Sequence, residues 1–211
     1  MHGQKIFGQM YWNNMNKSLL NTILLVGIVL YFPNAMADKA VFAGGCFWCM
    51  ESDFEKLDGV SEVVSGFTGG SLENPTYSGN HQGHYEAVEV TYDSSEISYQ
   101  DLLDHYWISV DPFDANGQFC DKGPSYLSAI FVANDQEREL AKQSRQKVID
   151  AFSEQTVITP ILDTAIFYPI KGDEIHHQDY YKKSPVHYKF YRWNCGRDQR
   201  LEEIWGERPS H

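Results

Sequence analysis

The stretch Gly44-Gly45-Cys46-Phe47-Trp48-Cys49-Met50-Glu51 sets two thiols three residues apart, with two large aromatic rings between them and a pair of glycines in front. Thiols at this spacing can form a structural disulfide, half of a metal knuckle, a thioredoxin-like redox pair, or a nucleophile and its partner inside an aromatic pocket. A thiol that follows a strand and a Gly-Gly turn stands at the start of the next helix, where unpaired amide N–H groups and the helix dipole favour negative charge. Cys46 is therefore expected to ionise easily and to be the nucleophilic, oxidisable thiol. Cys49, one turn further on, is close enough to bond to it. Phe47 and Trp48 are costly to expose and too bulky for a simple redox turn. They suit either the rim of a pocket for a small apolar group or a helix start packed into the core. Zinc is disfavoured, because Cys120 and Cys195 lack Cys-x2-Cys spacing and His176-His177 has no partner four residues on. Those histidines are expected on a polar face.

The elements that must hold these residues are legible from periodicity. Lys39 to Ala43 reads as a short strand ended by the glycines. From Cys46 to about Leu57 the apolar positions Phe47, Met50, Phe54 and Leu57 recur at helical spacing, and Asp58-Gly59 stops the helix. Val60 to Phe67 reads as a strand, and Glu86 to Tyr92 alternates as a half-buried one. Residues 68–85 between them, rich in Gly, Asn, Ser and His, have the composition of a functional loop. Ser98 and Asp101 form a capping box before Leu102, Leu103, Tyr106, Trp107 and Val110. Leu127 to Ala133 reads as a strand, and Asn134 to Glu137 caps a long helix carrying Leu140, Ala141, Val148 and Phe152 inward. Val157 to Tyr168 reads as extended and broken at Pro160. The order β-α-β, β-α-β predicts an α+β, ferredoxin-like two-layer sandwich, a split βαβ with a mainly antiparallel sheet and helices on one face. An irregular C-terminal segment follows, with a last helical turn near Asp198 to Trp205.

The chain has 211 residues, 42% hydrophobic and 14% aromatic, enough for one full core. Leu19 to Phe32 is a nearly unbroken apolar run, preceded by Lys17 and followed by Ala35-Met36-Ala37. It is shorter than the roughly 20 residues that span a bilayer comfortably. This is the layout of a signal peptide over residues 1–37, cleaved before Asp38, with an uncleaved anchor as the alternative. Residues 38–211 form a single domain. Losing the leader takes away Lys5 and Lys17 and no acid, so the formal charge goes from −12 to −14. So acidic a body argues against nucleic acid or an anionic membrane as partners. All four cysteines fall after the leader, in a body large enough not to need staples.

The ordered set GGCFWCMESDFEKLDGV, Gly66-Phe67-Thr68-Gly69-Gly70, Asn74-Pro75-Thr76-Tyr77, Gly83-His84-Tyr85-Glu86-Ala87-Val88, Asp111-Pro112 and Asp121-Lys122-Gly123-Pro124-Ser125-Tyr126 resembles methionine sulfoxide reductase A (MsrA) over about residues 40–205. The resemblance implies an enzyme that reduces the S epimer of methionine sulfoxide, free or in proteins, without metal or organic cofactor, as a monomer recycled by a thioredoxin-like thiol reductant. It implies Cys46 as nucleophile, Phe47 and Trp48 around the S-methyl group, Glu86 as acid, Tyr77 and Tyr126 near the sulfoxide oxygen, and Asp121 holding substrate. These residue types suit the chemistry. Attack on a sulfoxide sulfur drives negative charge onto oxygen, which needs a proton donor and hydroxyls nearby. A carboxyl in an aromatic pocket stays protonated near neutral pH. Cys46 should then carry a sulfenic acid that condenses with a second thiol, for which Cys195, on a tail able to move, Cys49 and Cys120 are candidates. The sequence departs from the commoner family pattern in having cysteine at positions 49 and 120 and a single C-terminal cysteine. The periplasm is the expected destination in a Gram-negative source. The competing readings are an exported Cys-x-x-Cys thiol-disulfide oxidoreductase and a binding module stapled by disulfides.

Overall fold

The structure, a computed structural model, describes residues 37–206. The apolar run expected of a leader, and Ala35-Met36 of its cleavage site, lie outside the described residues. In β1 (Asp38–Gly44) Ala40 and Phe42 face one side and Val41 and Ala43 the other, as a period of two dictates. The chain continues through α1 (Phe47–Phe54), β2 (Val60–Thr68), β3 (Tyr85–Tyr92), α2 (Tyr99–Ile108), a small hairpin of β4 (Gly117–Gln118) and β5 (Asp121–Lys122), β6 (Ser128–Val132), α3 (Asp135–Ala151), β7 (Ile161–Asp163) and β8 (Tyr168–Pro169). Three helices follow: α4 (Tyr180–Lys183), α5 (Pro185–Asn194) and α6 (Arg197–Trp205).

The main sheet runs β7-β6-β1-β3-β2-β8. Every pairing in it is antiparallel except β6 with β7. Phe47, Met50 and Phe54 of α1, Leu102, Leu103 and Tyr106 of α2, and Ala141 and Val148 of α3 share one buried cluster with Phe42, Val63, Phe67, Val88 and Val90 of the sheet. The opposite face carries a smaller cluster of Ala43, Ala87, Ala129 and Phe131, to which no helix among the described residues contributes a buried residue. The expected caps are in place. Ser98 and Asp101 form the reciprocal box at α2, and Asn134 accepts the Glu137 N–H at 2.9 Å to start α3.

Two expectations are corrected. The first helix ends at Phe54 rather than Leu57, because Glu55 to Asp58 turn the chain toward Gly59, whose φ of +89° suits only a residue without a side chain. The C-terminal segment is helical rather than irregular. Its buried positions are Tyr188 and Arg192 in α5 and Arg197 and Leu201 in α6, so the inward stripe is largely polar and gives little apolar periodicity to read.

Candidate active site

β1 delivers the chain to the sheet end, and Gly45, at φ +81°, reverses it into α1. A Cβ at Gly45 would lie 2.5 Å from Cβ of Gln118, so the turn packs directly on β4. Gln118 is fixed there by accepting the Asp111 N–H at 2.8 Å and donating to the Asp111 carbonyl at 2.8 Å. Cys46 is the N-cap of α1. Cys46 is 6% exposed and Cys49 1%, and both are free thiols.

The expected low pKa of Cys46 is not what this arrangement produces. Burial, followed by the neighbouring Cys49 and Glu86, pushes the Cys46 thiol well up. The hydrogen bond from Cys46, with Arg197 and Arg192 nearby, instead brings Cys49 down to about 7 against its own burial. Desolvation outweighs the helix terminus at the first thiol, and the negative charge of the pair settles on the second.

Glu86 comes from β3, in register with Phe67 of β2. It is 1% exposed and occupies the face it shares with Val88 and Val90, where the sheet meets α1. Its Oε2 accepts the Phe47 N–H at 3.1 Å, one of the orphan donors of the helix start. Its Oε1 is buried and has no hydrogen-bond partner. Burial raises its pKa to about 8, with Asp121 and Cys49 adding to the rise and the Phe47 N–H opposing it. At neutral pH the carboxyl is thus largely protonated, with Oε2 engaged by the Phe47 N–H and the Tyr126 hydroxyl turned toward the carboxyl.

Tyr77, Tyr126 and Asp121 converge on the same spot. The two tyrosines feel the charges of Glu86, Cys46 and Asp121, and burial raises both hydroxyls above their ordinary range. Burial also raises Asp121, whose Oδ2 accepts the Tyr191 hydroxyl at 2.5 Å. Tyr191 faces Cys46 as well and lowers it. The structure therefore brings together Cys46, Cys49, Glu86, Tyr77, Tyr126 and Asp121, which the sequence singled out, and adds Tyr191.

Phe47 is fully buried and stacks under Tyr77 at 5.8 Å. Trp48 is half-buried, with Tyr180 stacked at 3.9 Å, His177 at 5.4 Å and Tyr191 edge-on at 5.6 Å. His177, expected on a polar face, is 8% exposed and lies 3.9 Å from the Tyr77 ring. Tyr180, Tyr191 and His177 escape a reading by spacing because the partners that place them at the thiols, Trp48, Tyr77 and Asp121, lie far off in the sequence. The segment bearing His177 and Tyr180 is pinned from both sides. Glu51 of α1 accepts the Asp179 N–H at 2.6 Å and the Ser65 hydroxyl at 2.8 Å. Glu174 accepts the Tyr77 and Ser78 N–H groups, each at 2.8 Å.

Cys120 and Cys195 are joined as a disulfide with 4.8 Å between Cα atoms. Cys120 sits in the turn between β4 and β5, beside Asp121, and Cys195 caps α5. The sulfurs of this bridge lie near the Asp121 carboxylate, and a second group of possible ligand atoms is Glu51, Glu55 and Asp179. The latter already accept hydrogen bonds, and Lys182 neutralises Glu55 and Asp179, so neither group is a ready-made cation site.

A sheet with helices packed on it, two buried thiols in contact, and a protonated carboxyl ringed by hydroxyls and aromatic rings define a thiol-dependent oxidoreductase. The description peptide methionine sulfoxide reductase matches residues 38–209, and the chain belongs to that family. It is 49% identical over 172 residues to peptide methionine sulfoxide reductase MsrA 2 of Caulobacter vibrioides, covering 80% of this chain and 86% of that one. It is 45% identical over 180 residues to MsrA of Bacillus licheniformis, covering 82% and 98% respectively. Methionine sulfoxide reductase A of Corynebacterium diphtheriae superposes with a TM-score of 0.62 at 28% identity, covering 73% of this chain and 78% of that one. The protein is an enzyme that reduces methionine sulfoxide.

Proposed function

We propose that the chain reduces the S epimer of methionine sulfoxide, in proteins and as the free amino acid, with Cys46 as nucleophile, Glu86 as acid and Cys49 as the thiol that closes the disulfide. The observation that carries the reading is the unpartnered Oε1 of Glu86, a buried protonated oxygen beside Cys46. The sulfoxide methyl lies against Trp48, with Phe47 beneath, and the sulfoxide oxygen points at Glu86, Tyr77 and Tyr126. Asp121 and Tyr191 hold the substrate. One handed pocket of this kind accepts one of two mirror-related sulfoxides. As Cys46 bonds to sulfur, charge develops on oxygen, and Glu86 protonates it where hydroxyl donors already point. The oxygen leaves on Cys46 as a sulfenic acid, and Cys49 displaces it as water. Cys49 is preferred over Cys195 and Cys120 because it already touches Cys46, whereas those two are bonded to each other. An exported disulfide oxidoreductase, or a binding module stapled there, has no use for the protonated Glu86 and the hydroxyls of Tyr77 and Tyr126 beside the thiols.

Peptides carrying S- or R-methionine sulfoxide, with dithiothreitol as reductant, test this. The wild type is expected to reduce the S peptide alone, and Cys46→Ser neither. Reduction of both epimers, or turnover by Cys46→Ser, removes the assignment.

We further infer that the sheet order β6-β1-β3-β2 belongs to a ferredoxin-like split βαβ unit. We also infer that residues 1–37 direct export to the periplasm and are removed, and that the product is a monomer free of membrane, using a thioredoxin-like reductant. The family match beginning at Asp38 supports a boundary there. Among the described residues no helix is long and apolar enough to cross a membrane. Intact mass of the secreted form decides it: a chain starting at Asp38 is expected, and one retaining the apolar run contradicts cleavage.

A further inference from the structure

Arg197 of α6 is 1% exposed, and the hydrogen bonds of its guanidinium go to uncharged groups. It donates to the Gly44 carbonyl at 3.2 Å, the Ser109 carbonyl at 2.7 Å and the Met50 sulfur at 3.2 Å, and lies 4.5 Å over the Phe119 ring. Its Nε has no hydrogen-bond partner. The buried carboxylate facing it, Asp53, holds its Oδ2 3.8 Å away and gives its Oδ1 to Arg192 at 2.8 Å. Arg192 is held in turn by Asp198 at the surface. Two buried guanidiniums thus share one buried carboxylate, and a buried cation persists only where a counter-charge meets it.

Asp121 also feels Arg197, and the thiol pair lies beside the guanidinium as a further group able to carry negative charge. Arg197 touches both sides of it, at Gly44, two residues before Cys46, and at Met50, the residue after Cys49. We propose that Arg197 is the counter-ion of a Cys49 thiolate, and that this thiolate takes the proton of Cys46 as Cys46 attacks the sulfoxide. The groups facing Cys49 are consistent with this. Arg192 and Tyr188 come from α5 with Tyr191, Arg197 from α6, Cys46, Asp53 and Lys56 from α1 and its two ends, and Glu86 from β3. The guanidiniums favour the thiolate, and Asp53 opposes it.

The proposal rests on the sulfoxide-reductase reading for the attack itself and closes its proton count. In the resting pair Cys46 is a thiol and Cys49 a thiolate. When the Cys46 sulfur bonds to the sulfoxide sulfur, its proton passes to Cys49 while the sulfoxide oxygen takes the Glu86 proton. The protonated oxygen then passes from the substrate sulfur to the Cys46 sulfur as the bond between the two sulfurs breaks, so methionine departs and Cys46 is left as a sulfenic acid. The Cys49 sulfur then bonds to Cys46, the hydroxyl leaves with the Cys49 proton as water, and Glu86 remains as the carboxylate. One sulfoxide is reduced and two thiols are oxidised, with the net charge unchanged.

Ultraviolet thiolate absorbance tests this without substrate, so it can fail independently of the sulfoxide reading. In a Cys120→Ser/Cys195→Ser background Cys46 and Cys49 are the thiols that titrate, and the first thiolate is expected with a midpoint of about 7. Arg197→Met is expected to move that midpoint up by about one pH unit or more, tenfold less thiolate at a given acid pH, and Arg197→Lys to hold it. The acidic limb of sulfoxide turnover should move with it. Cys46→Ser, which keeps a hydroxyl donor, should retain the low step, and Cys49→Ser should lose it, so the proposal stays testable if Arg197→Met does not fold. A first midpoint at the ordinary thiol value of about 8.5, a folded Arg197→Met with an unmoved midpoint, or a low step that survives in Cys49→Ser overturns it.

Discussion

At the residue scale the enzyme depends on where one proton sits. As the proposed acid, Glu86 must be protonated to donate, and burial keeps it so up to about 8. Methionine formation in a single turnover is therefore expected to rise along the acidic limb set by Cys49, peak between about 7 and about 8, and fall about tenfold per unit above that. Glu86→Gln should slow the step by about 10²–10⁴-fold and abolish the alkaline limb. A limb that survives in Glu86→Gln would assign it to another group. Cys46, Glu86, Tyr77, Tyr126 and Asp121 were legible because each stands in an ordered motif and each type suits sulfoxide chemistry. The inward placement of Glu86 was legible too, since it falls on the same alternation as Val88, Val90 and Tyr92. The ionisation of Cys46 was not. Helix position argued for a low pKa, and burial, which no spacing reveals, reversed the sign.

At the element scale the site is a helix start held against a hairpin. Gly45 works there for two separable reasons, its φ of +81° and the 2.5 Å that a Cβ would leave to Gln118. Gly45→Ala is expected to cost roughly 1–3 kcal/mol, the range of backbone strain at functional sites. It should also slow single-turnover chemistry by displacing Cys46 from Glu86. Chemical unfolding and stopped-flow quench read the two effects, and a variant of wild-type stability and rate would show that the turn is not constrained. Strands and capped helices were readable from alternation, the Ser98 box and the Asn134 cap. The C-terminal helices were not, because α5 and α6 bury Tyr188, Arg192 and Arg197 where a periodicity reading looks for apolar side chains. His177 was misplaced for a related reason. Its burial comes from Tyr77 and Trp48 across the fold, 100 and 129 residues away in sequence.

At the scale of the whole molecule the chain holds two cysteine pairs, free thiols buried at the start of α1 and a disulfide linking the β4–β5 turn to the end of α5. Because Cys195 is bonded to Cys120, Cys195→Ser is expected to leave the first turnover and its Cys46–Cys49 bond intact while changing recycling by a protein thiol. Loss of the first turnover would give Cys195 the role assigned to Cys49. The β-α-β-β-α-β order of the sheet could be read from the sequence, but the pairing of Cys120 with Cys195, 75 residues apart, could not, since four thiols admit several pairings. The most direct test of the account mixes the reduced protein with one equivalent of methionine-S-sulfoxide, followed by acid quench and disulfide mapping by mass spectrometry. The account predicts one methionine per chain and a new bond between Cys46 and Cys49. Methionine released with Cys46 still a free thiol, or none released at all, would contradict it.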